Sequence, residues 1–444
     1  MNAFGDSTLA YIDQGVFLAL RALGRGPIVQ YVWIYENGAD LDGLQRFHRN
    51  LQHTLISRLI ERSAVPFGRH HWVRYESPGL DVETGERPRE QVWDWVDERA
   101  FLPLDPEFGP PWHLGVQPLV GGGTAVPLVV SHTTSDAGAA IDSIIDAVNG
   151  VGHDFGFPER GARPRWQALR HDIAVSARSV RDIPTAVSAA ARTLREQKGS
   201  PTTKPAVRNG TPGGDRPVVV PRVYASIDAN EWAERARALG GTRNVLFAGL
   251  VVRLGYRLGR VDGDGRVMLS VPVSERTEGD TRANPLNGVS VYADPDLVCT
   301  DLSAIRADTK SALAELSRTS AQILAPLALT PFTPKLAVRR VEKMVMKEGK
   351  PVGCSNVGEI PEAANQPDGS NADFFTMRGG EAGLTPNILE RLGGHLLVSS
   401  VTLRDRVWIA VASWEGDRCN TRSNLAEVVE AAFGDFELKA QLDF

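Results

Sequence analysis

SHTTSDAG, residues 131–138, lies between an apolar run and a segment with helical periodicity. The preceding residues, AVPLVVSH (125–132), have the composition of a buried strand. The following residues, AGAAIDSIIDAV (137–148), carry their isoleucines on one helical face. We therefore predict that His132 and Asp136 lie on a strand-to-helix turn, a position at which open α/β sheets commonly bind ligands.

The chemistry of these two side chains allows two interpretations each. An imidazole with a pKa near 6.5 can accept a proton from a hydroxyl or an amine at neutral pH. A lone histidine after a strand can equally be structural. Asp136 can shape the turn around His132, or it can act as an ordinary helix N-cap.

Composition restricts the class of protein. A chain of 444 residues with 42% hydrophobic and 23% charged residues can build a sizeable core and is expected to form two domains. The formal net charge of −5 argues against nucleic acid as a partner. Cys299, Cys354 and Cys419 form no CxxC pair, so neither a disulfide framework nor a metal site is predicted. Without a signal peptide or an 18-residue apolar run, we expect a cytoplasmic protein that is at most peripheral to a membrane.

The order of elements is α/β in both halves of the chain. We predict one domain over residues 1–196, a Gly, Pro, Ser and Thr-rich linker over 197–217, and a second domain over 218–444. Leucines at helical spacing predict a helix over 40–61, and alternation over 394–416 predicts a hairpin.

Several segments of the sequence show a family resemblance. HTTSDAG resembles the HxxxDG signature of the CoA-dependent acyltransferase superfamily, which includes chloramphenicol acetyltransferase, peptide-synthetase condensation domains and the wax ester synthase/diacylglycerol acyltransferase family. Further segments resemble motifs of the last branch, in the same order: LPLDPEFGPPWHL (102–114), TRNVLFAGLVVRLGYRL (242–258), VPVSER (271–276) and CSNVGEIP (354–361).

The resemblance implies two chloramphenicol-acetyltransferase-like domains that form a pseudo-dimer with an inter-domain tunnel. It identifies His132 as the general base that deprotonates the acceptor during attack on an acyl thioester. Asp136 completes the catalytic pair in a chiefly structural role, through a charge-assisted contact to an arginine, and Arg276 is the expected partner. It also implies that no resident cofactor is bound.

The same resemblance assigns supporting roles to other residues. Ser355, Asn356 and Gly138 are predicted to bind substrate, with Ser355 and Asn356 on the opposite wall of the tunnel. Strand-end turn chemistry is the alternative for that pair. Trp112 is predicted to support the site structurally.

The sequence also departs from the family pattern. Ser131 stands where the family usually has a first histidine, Asn244 replaces the aspartate of an NDVLLA motif, and a Gly-Asn pair is reordered in NPLNGVS (284–290). Because His132 is kept, these changes affect the expected acceptor more than the reaction type.

We therefore predict an O-acyltransferase that uses acyl-CoA as co-substrate and an alcohol, including a lipid alcohol, as acceptor. One alternative is a condensation-type enzyme that takes its acyl group from an acyl-carrier protein and forms an ester or amide in secondary metabolism. Another is a catalytically silent domain of the same fold that recruits a partner protein.

A basic segment spans residues 159–208, with 11 Lys or Arg against 4 Asp or Glu. Such a segment can contact an anionic lipid surface, or it can bind the phosphates of a CoA or carrier-protein donor. A solvated helix face is the alternative.

Overall fold

The computed structural model describes residues 7–197, 214–345 and 350–444. The first half contains the helices α1 (Tyr11–Leu23), α2 (Leu41–Leu51), α3 (Val92–Ala100), α4 (Ala137–Val148), α5 (Arg165–Ser179) and α6 (Ile183–Gln197). Its strands are β1 (Pro27–Tyr35), β2 (Arg58–Glu61), β3 (His71–Arg74), β4 (Asp81–Val82), β5 (Trp112–Pro118) and β6 (Thr124–Ser131).

The second half has the same mixture of elements. Its helices are α7 (Ala229–Ala238), α8 (Arg243–Arg257), α9 (Ser303–Leu324), α10 (Lys335–Val345), α11 (Pro386–Arg391) and α12 (Arg422–Gly434). Its strands are β7 (Arg222–Asp228), β8 (Val267–Ser274), β9 (Leu286–Ala293), β10 (Val352–Ile360), β11 (Phe374–Glu381), β12 (His395–Leu403), β13 (Arg406–Trp414) and β14 (Gln441–Asp443).

Each half is built around one large sheet. The first sheet has the order β11-β1-β6-β5-β4 and the second the order β14-β7-β13-β12-β10-β8-β9. The predicted hairpin is confirmed, because β12 and β13 pair antiparallel around a turn in which Arg404 has a φ of 55°. The α/β fold class with two sheet-containing halves is therefore confirmed.

The predicted helix over 40–61 is wrong beyond Leu51. Helix α2 ends there, and the next regular element is strand β2. The Leu51 carbonyl accepts from the hydroxyls of Thr54 and Ser57, at 2.7 and 2.9 Å, and from the Thr54 N–H at 3.1 Å. These donors stand in place of the Leu55 N–H that would continue the helix. Leu59, which fits the helical spacing, instead pairs with Val73 of β3.

Strand β11 joins the two halves. It lies within the predicted second domain in sequence, but it pairs with β1 along the edge of the first sheet, with Gly380 opposite Ile28. This pairing covers a β1 edge whose backbone groups would otherwise be open. The domain boundaries stay a prediction, and residues 198–213 of the predicted linker lie outside the described part of the chain.

A buried charge network fixes the junction between the halves. Asp97 of α3 binds Arg378 Nη1 of β11 at 2.6 Å, Arg422 Nη2 of α12 at 2.8 Å and Arg222 Nη1 of β7 at 3.2 Å. Burial acts to raise the pKa of Asp97, but Arg378, Arg222 and Arg422 outweigh it and hold that pKa below its usual range. Asp97 therefore stays ionised and joins α3 to three elements of the second half.

Among the described residues, no helix is both long and apolar enough to cross a membrane.

Candidate active site

The loop between β6 and α4 is almost completely buried. Thr133, Thr134 and Ser135 are fully buried, and Asp136 is 3% exposed. His132 is the partly exposed member of this run, and its backbone N–H donates to the carbonyl of Pro27 at 3.0 Å. The predicted strand-to-helix turn is confirmed, and it presents one imidazole toward solvent-accessible space.

The imidazole is held by a residue of the second half. His132 Nδ1 lies 2.8 Å from Asn284 Oδ1, and Asn284 Nδ2 donates to the His132 carbonyl at 2.9 Å. Among the described residues, no group forms a hydrogen bond with His132 Nε2. One ring nitrogen is therefore engaged, and the other is available to a ligand.

Asp136 has both oxygens occupied. Its Oδ1 accepts from the Ala139 N–H at 2.8 Å and so caps helix α4, and its Oδ2 forms an ion pair with Arg276 Nη2 at 2.9 Å. The Asp136 side chain therefore caps the helix and also contacts the expected arginine, so the two interpretations are compatible. Asp136 positions the loop and presents no free oxygen to a substrate.

Two substitutions separate the cap from the ion pair. We expect Asp136→Asn to keep the cap and lose the ion pair, lowering the free energy of unfolding by about 1–3 kcal/mol. Asp136→Ala loses the cap as well and should cost about 1 kcal/mol more. Denaturant unfolding of both variants measures the difference. Equal losses would show that the cap contributes nothing.

The segment around Arg276 is fastened to the His132 loop. Arg276 also donates to the carbonyls of Asp280, Arg282 and Ala283 at 3.0–3.2 Å. The Ala283 carbonyl in turn accepts from the Asp136 N–H at 2.8 Å. The two loops therefore form one rigid unit.

Arg58, at the start of β2, connects the His132 loop to the segment that follows Arg276. It is fully buried, donates through Nη2 to the Thr134 carbonyl at 2.8 Å, and donates through Nη1 to the Thr281 carbonyl at 2.5 Å. Its guanidinium lies 4.1 Å from the centroid of the Trp72 ring. Burial lowers the pKa of Arg58 to about 10, so it remains charged at neutral pH.

Asp13 of α1 supports the loop from the other side. Its carboxylate is fully buried and accepts from the Asn284 N–H at 2.8 Å and from the Ala283 N–H at 3.0 Å. Burial raises the pKa of this carboxyl, and the two backbone hydrogen bonds oppose that rise.

Asn284, Arg58 and Asp13 were missed by the sequence analysis. Asn284 opens the NPLNGVS segment, whose reordering was the one available signal. The other two lie in ordinary helix and strand patterns, and neither carries a local motif.

The structure has close relatives in fold among solved proteins. The first condensation domain of the calcium-dependent antibiotic synthetase gives a TM-score of 0.58 at 14% identity and covers 100% of both chains. The wax ester synthase/diacylglycerol acyltransferase of Marinobacter aquaeolei gives 0.54 at 12% identity and covers 97% of this chain and 98% of that one. The nonribosomal peptide synthetase FmoA3 gives 0.55 at 18% identity, and our chain spans 44% of its length.

The chain therefore shares its fold with condensation domains of peptide synthetases and with a wax ester synthase/diacylglycerol acyltransferase. This confirms the resemblance at the level of the fold. No family model and no curated protein matches the sequence significantly.

Two further residues that the resemblance singled out lie close to this loop. Trp112 is 1% exposed, pairs with Val130 across the sheet, and donates from Nε1 to Ser57 Oγ at 2.9 Å. Gly138 lies in the first turn of α4, where an added Cβ would meet Asp136 Oδ1 at 3.6 Å, an ordinary contact. The backbone does not require glycine at this position, so its substrate-binding role stays a prediction.

Ser355 and Asn356 lie on β10, next to helix α4. Cys354 belongs to the core of the second half, so alternation along the strand turns Ser355 to the opposite face. On that face Ser355 lies beside Ser399, whose hydroxyl donates to the Met377 carbonyl of β11 at 3.0 Å. Ser355 therefore faces the first half of the molecule.

Asn356 has a different environment. Its side chain is exposed, donates from Nδ2 to Asn244 Oδ1 at 3.1 Å, and accepts from the Gly358 N–H at 2.9 Å. These contacts fit the turn-chemistry alternative, at a point where the β10 register shifts. The structure thus brings together two motif segments that the resemblance singled out, and substrate binding by Asn356 stays a prediction.

A cavity of about 760 Å³ opens beside the Asp136–Arg276 ion pair. Its lining includes Arg276, Asp142, Asp146 and Glu278. His132 is not among its lining residues, and the inter-domain tunnel stays a prediction.

One cluster has the composition of a metal site. Candidate ligand atoms of His71, His171 and Asp172 lie within 4.8 Å of one another. However, both oxygens of Asp172 already have partners. Its Oδ1 accepts from His71 Nε2 at 2.8 Å and lies 3.5 Å from Arg163 Nη1, and its Oδ2 accepts from the Ala64 N–H at 2.7 Å. A guanidinium this close competes with a metal cation. We interpret the cluster as the contact that fastens α5 to β3.

Proposed function

We propose that the protein is an O-acyltransferase that moves an acyl group from acyl-CoA to an alcohol, with His132 as the general base. One observation carries this proposal. The His132 imidazole has Nδ1 bound to Asn284 and Nε2 without a partner among the described residues, on a loop that both halves of the molecule hold rigid.

The reaction follows from that arrangement. His132 Nε2 takes the proton of the acceptor hydroxyl as its oxygen attacks the thioester carbonyl. The resulting tetrahedral oxyanion collapses, the carbon–sulfur bond breaks, and the CoA thiolate recovers the proton from the imidazolium. No covalent acyl-enzyme forms. The Ser355 hydroxyl is the donor proposed for the oxyanion, because it lies on the sheet face turned toward the first half.

We also propose a lipid acceptor and a cytoplasmic location peripheral to a membrane, and the basic segment supports the membrane contact. Its described part, residues 159–197, includes α5, whose outward face carries exposed apolar side chains: Trp166 (64% exposed), Leu169 (45%) and Ile173 (54%). Exposed arginines of the same segment are Arg160, Arg165, Arg170, Arg178, Arg181, Arg192 and Arg195. An apolar stripe among cations is suited to the surface of an anionic membrane. Residues 198–208 of the segment lie outside the described residues.

Replacing Trp166, Leu169 and Ile173 together by serine is expected to weaken binding to anionic lipid vesicles roughly tenfold to a hundredfold, because partial burial of three apolar side chains is lost. Vesicle flotation measures this. Charge reversal at Arg178, Arg181, Arg192 and Arg195 should weaken binding as well, most strongly at low salt. Val120→Ser, at an apolar residue 59% exposed on the β5–β6 turn, is the matched control. Unchanged binding in both sets would favour the solvated-face interpretation.

A carrier-protein donor is the second candidate. The condensation domain of the calcium-dependent antibiotic synthetase matches this chain from end to end, at a TM-score slightly above that of the wax ester synthase. In this alternative the same base deprotonates an alcohol or an amine, which then attacks an acyl group bound as a thioester to a carrier protein.

Donor turnover separates the candidates. Purified protein is incubated with an alcohol and either acyl-CoA or an acyl-loaded carrier protein, and free thiol is followed over time. The proposal predicts turnover of acyl-CoA. Turnover of the carrier-linked donor alone would establish the second candidate, and turnover of neither would favour the silent, partner-recruiting domain.

A further inference from the structure

We propose that Asn284 is a positioning residue that sets the tautomer of His132, and that the buried carboxylate of Asp13 holds Asn284 in place. Neither residue belongs to the motifs from which the function was inferred. The kinetic part of this inference rests on the proposed function, whereas the tautomer itself can be measured without any turnover.

The argument begins with what each atom can donate. The His132 carbonyl can only accept, so the Asn284 amide must turn its Nδ2 group toward it, as the 2.9 Å contact shows. The amide oxygen then faces His132 Nδ1 at 2.8 Å. Because this oxygen can only accept, Nδ1 must carry the proton and the neutral ring must leave Nε2 unprotonated.

The opposite orientation of the amide is unfavourable. Turning the Asn284 side chain over would place its oxygen against the His132 carbonyl oxygen, two acceptors facing one another. Asn284 is only 3% exposed, so water is poorly placed to compensate for that contact. The bidentate contact therefore selects one amide orientation and, through it, one tautomer.

Asp13 fixes the backbone from which this amide projects. Its two oxygens accept from the consecutive N–H groups of Ala283 and Asn284, at 3.0 and 2.8 Å. A carboxylate that accepts two adjacent backbone donors defines the orientation of that peptide segment. Asp13 is on α1, Asn284 precedes β9, and His132 follows β6, so three distant parts of the chain set one proton position.

Two variants at Asn284 separate positioning from simple structural support. Asn284→Ala removes both contacts and should release the ring toward the Nε2–H tautomer, lowering kcat about tenfold to a hundredfold with a smaller change in KM. Asn284→Asp keeps an acceptor at Nδ1, so it should retain the tautomer and part of kcat, but it loses stability because its second oxygen faces the His132 carbonyl. Its new negative charge should move the acidic limb of the kcat/KM profile, which the protonation of His132 sets, to higher pH.

Asn365→Ala is the matched control. Asn365 is also a buried asparagine, 4% exposed, whose Nδ2 donates to a backbone carbonyl, that of Ala372, at 2.9 Å. Among the described residues, no hydrogen bond joins its side chain to the His132 loop. Its replacement should lower stability while leaving kcat and the pH profile unchanged.

The direct test is nitrogen NMR of protein labelled with ¹⁵N-histidine, with the His132 signals assigned by their loss in His132→Ala. The inference predicts a pyrrole-type Nδ1 and a pyridine-type Nε2 in the wild type and in Asn284→Asp, at a pH where the ring is neutral. A pyridine-type Nδ1 in the wild type overturns it. Equal kinetics for Asn284→Ala and the wild type would also overturn it. The predicted tautomer in a protein without transferase activity would refute the proposed function and leave the positioning role intact.

Discussion

Replacing His132 by alanine is expected to lower kcat for thiol release from acyl-CoA by about 10² to 10⁴, the usual contribution of a general base. Without an acceptor for its proton, the alcohol is a poor nucleophile toward the thioester. The change should cost only about 1 kcal/mol of stability, because it removes one side-chain hydrogen bond and keeps the backbone carbonyl that Asn284 also binds. Thiol release and denaturant unfolding of the purified variant measure the two effects.

His53→Ala is the control for this experiment, since His53 is an exposed histidine that follows the end of α2. It should leave kcat unchanged. If His132→Ala also retained the wild-type kcat, the general base would have to be another group.

The largest effect on stability is expected at Asp97. Asp97→Asn keeps the shape of the side chain but removes the negative charge that Arg378, Arg222 and Arg422 share. The buried guanidinium groups of Arg378 and Arg222 would then have no counter-charge, and the free energy of unfolding should fall by about 3–5 kcal/mol. Because the network joins the two halves, denaturation should also become less cooperative.

The difference between wild type and Asp97→Asn should depend on pH. Asp97 has a pKa in the folded protein below its unfolded value of about 3.9, so its contribution is complete above that pH and is lost as the pH falls through the lower folded pKa. The stabilities of the two proteins should therefore converge only in strong acid. Glu315→Gln, which breaks an exposed pair with Arg318, is the matched control and should cost about 0.5 kcal/mol or less. A loss at Asp97 as small as that would contradict a role in joining the halves.

Local patterns predicted much of the site. The buried strand before His132 and the isoleucine periodicity after it predict the turn correctly, and Asp136 caps α4 in the manner typical of an aspartate at that position. The position of Arg276 in VPVSER, together with the resemblance, identifies the residue that forms the 2.9 Å ion pair with Asp136. These features can be predicted from a single sequence because they depend on residues close together in the chain or on a recognisable motif.

The remaining features depend on contacts between distant segments. Asn284 lies 152 residues from His132, and Asp13 lies 271 residues from Asn284, so no periodicity or spacing connects them. The pairing of β11 with β1 is of the same kind, because an apolar strand does not specify which open sheet edge it will cover. The over-extension of α2 has a different cause, since leucine spacing persists past Leu51 while two hydroxyls compete for its carbonyl.

The two halves of the described structure contribute different residues to the site. The first half supplies His132 and its loop, and the second half supplies Asn284 and Arg276, which contact them. Separation of the halves would therefore break the contacts that Asn284 and Arg276 make with the His132 loop. On this account the Asp97 network contributes to catalysis indirectly, by keeping the halves together.

The most direct test is simultaneous measurement of ester and free CoA by mass spectrometry after incubation of the protein with acyl-CoA and a long-chain alcohol, with His132→Ala in parallel. We predict equimolar ester and CoA from the wild type, no CoA release when the alcohol is omitted, and near-background amounts of both products from the variant. Ester formation at the same rate by both proteins, or CoA release without ester, would contradict acyl transfer by His132.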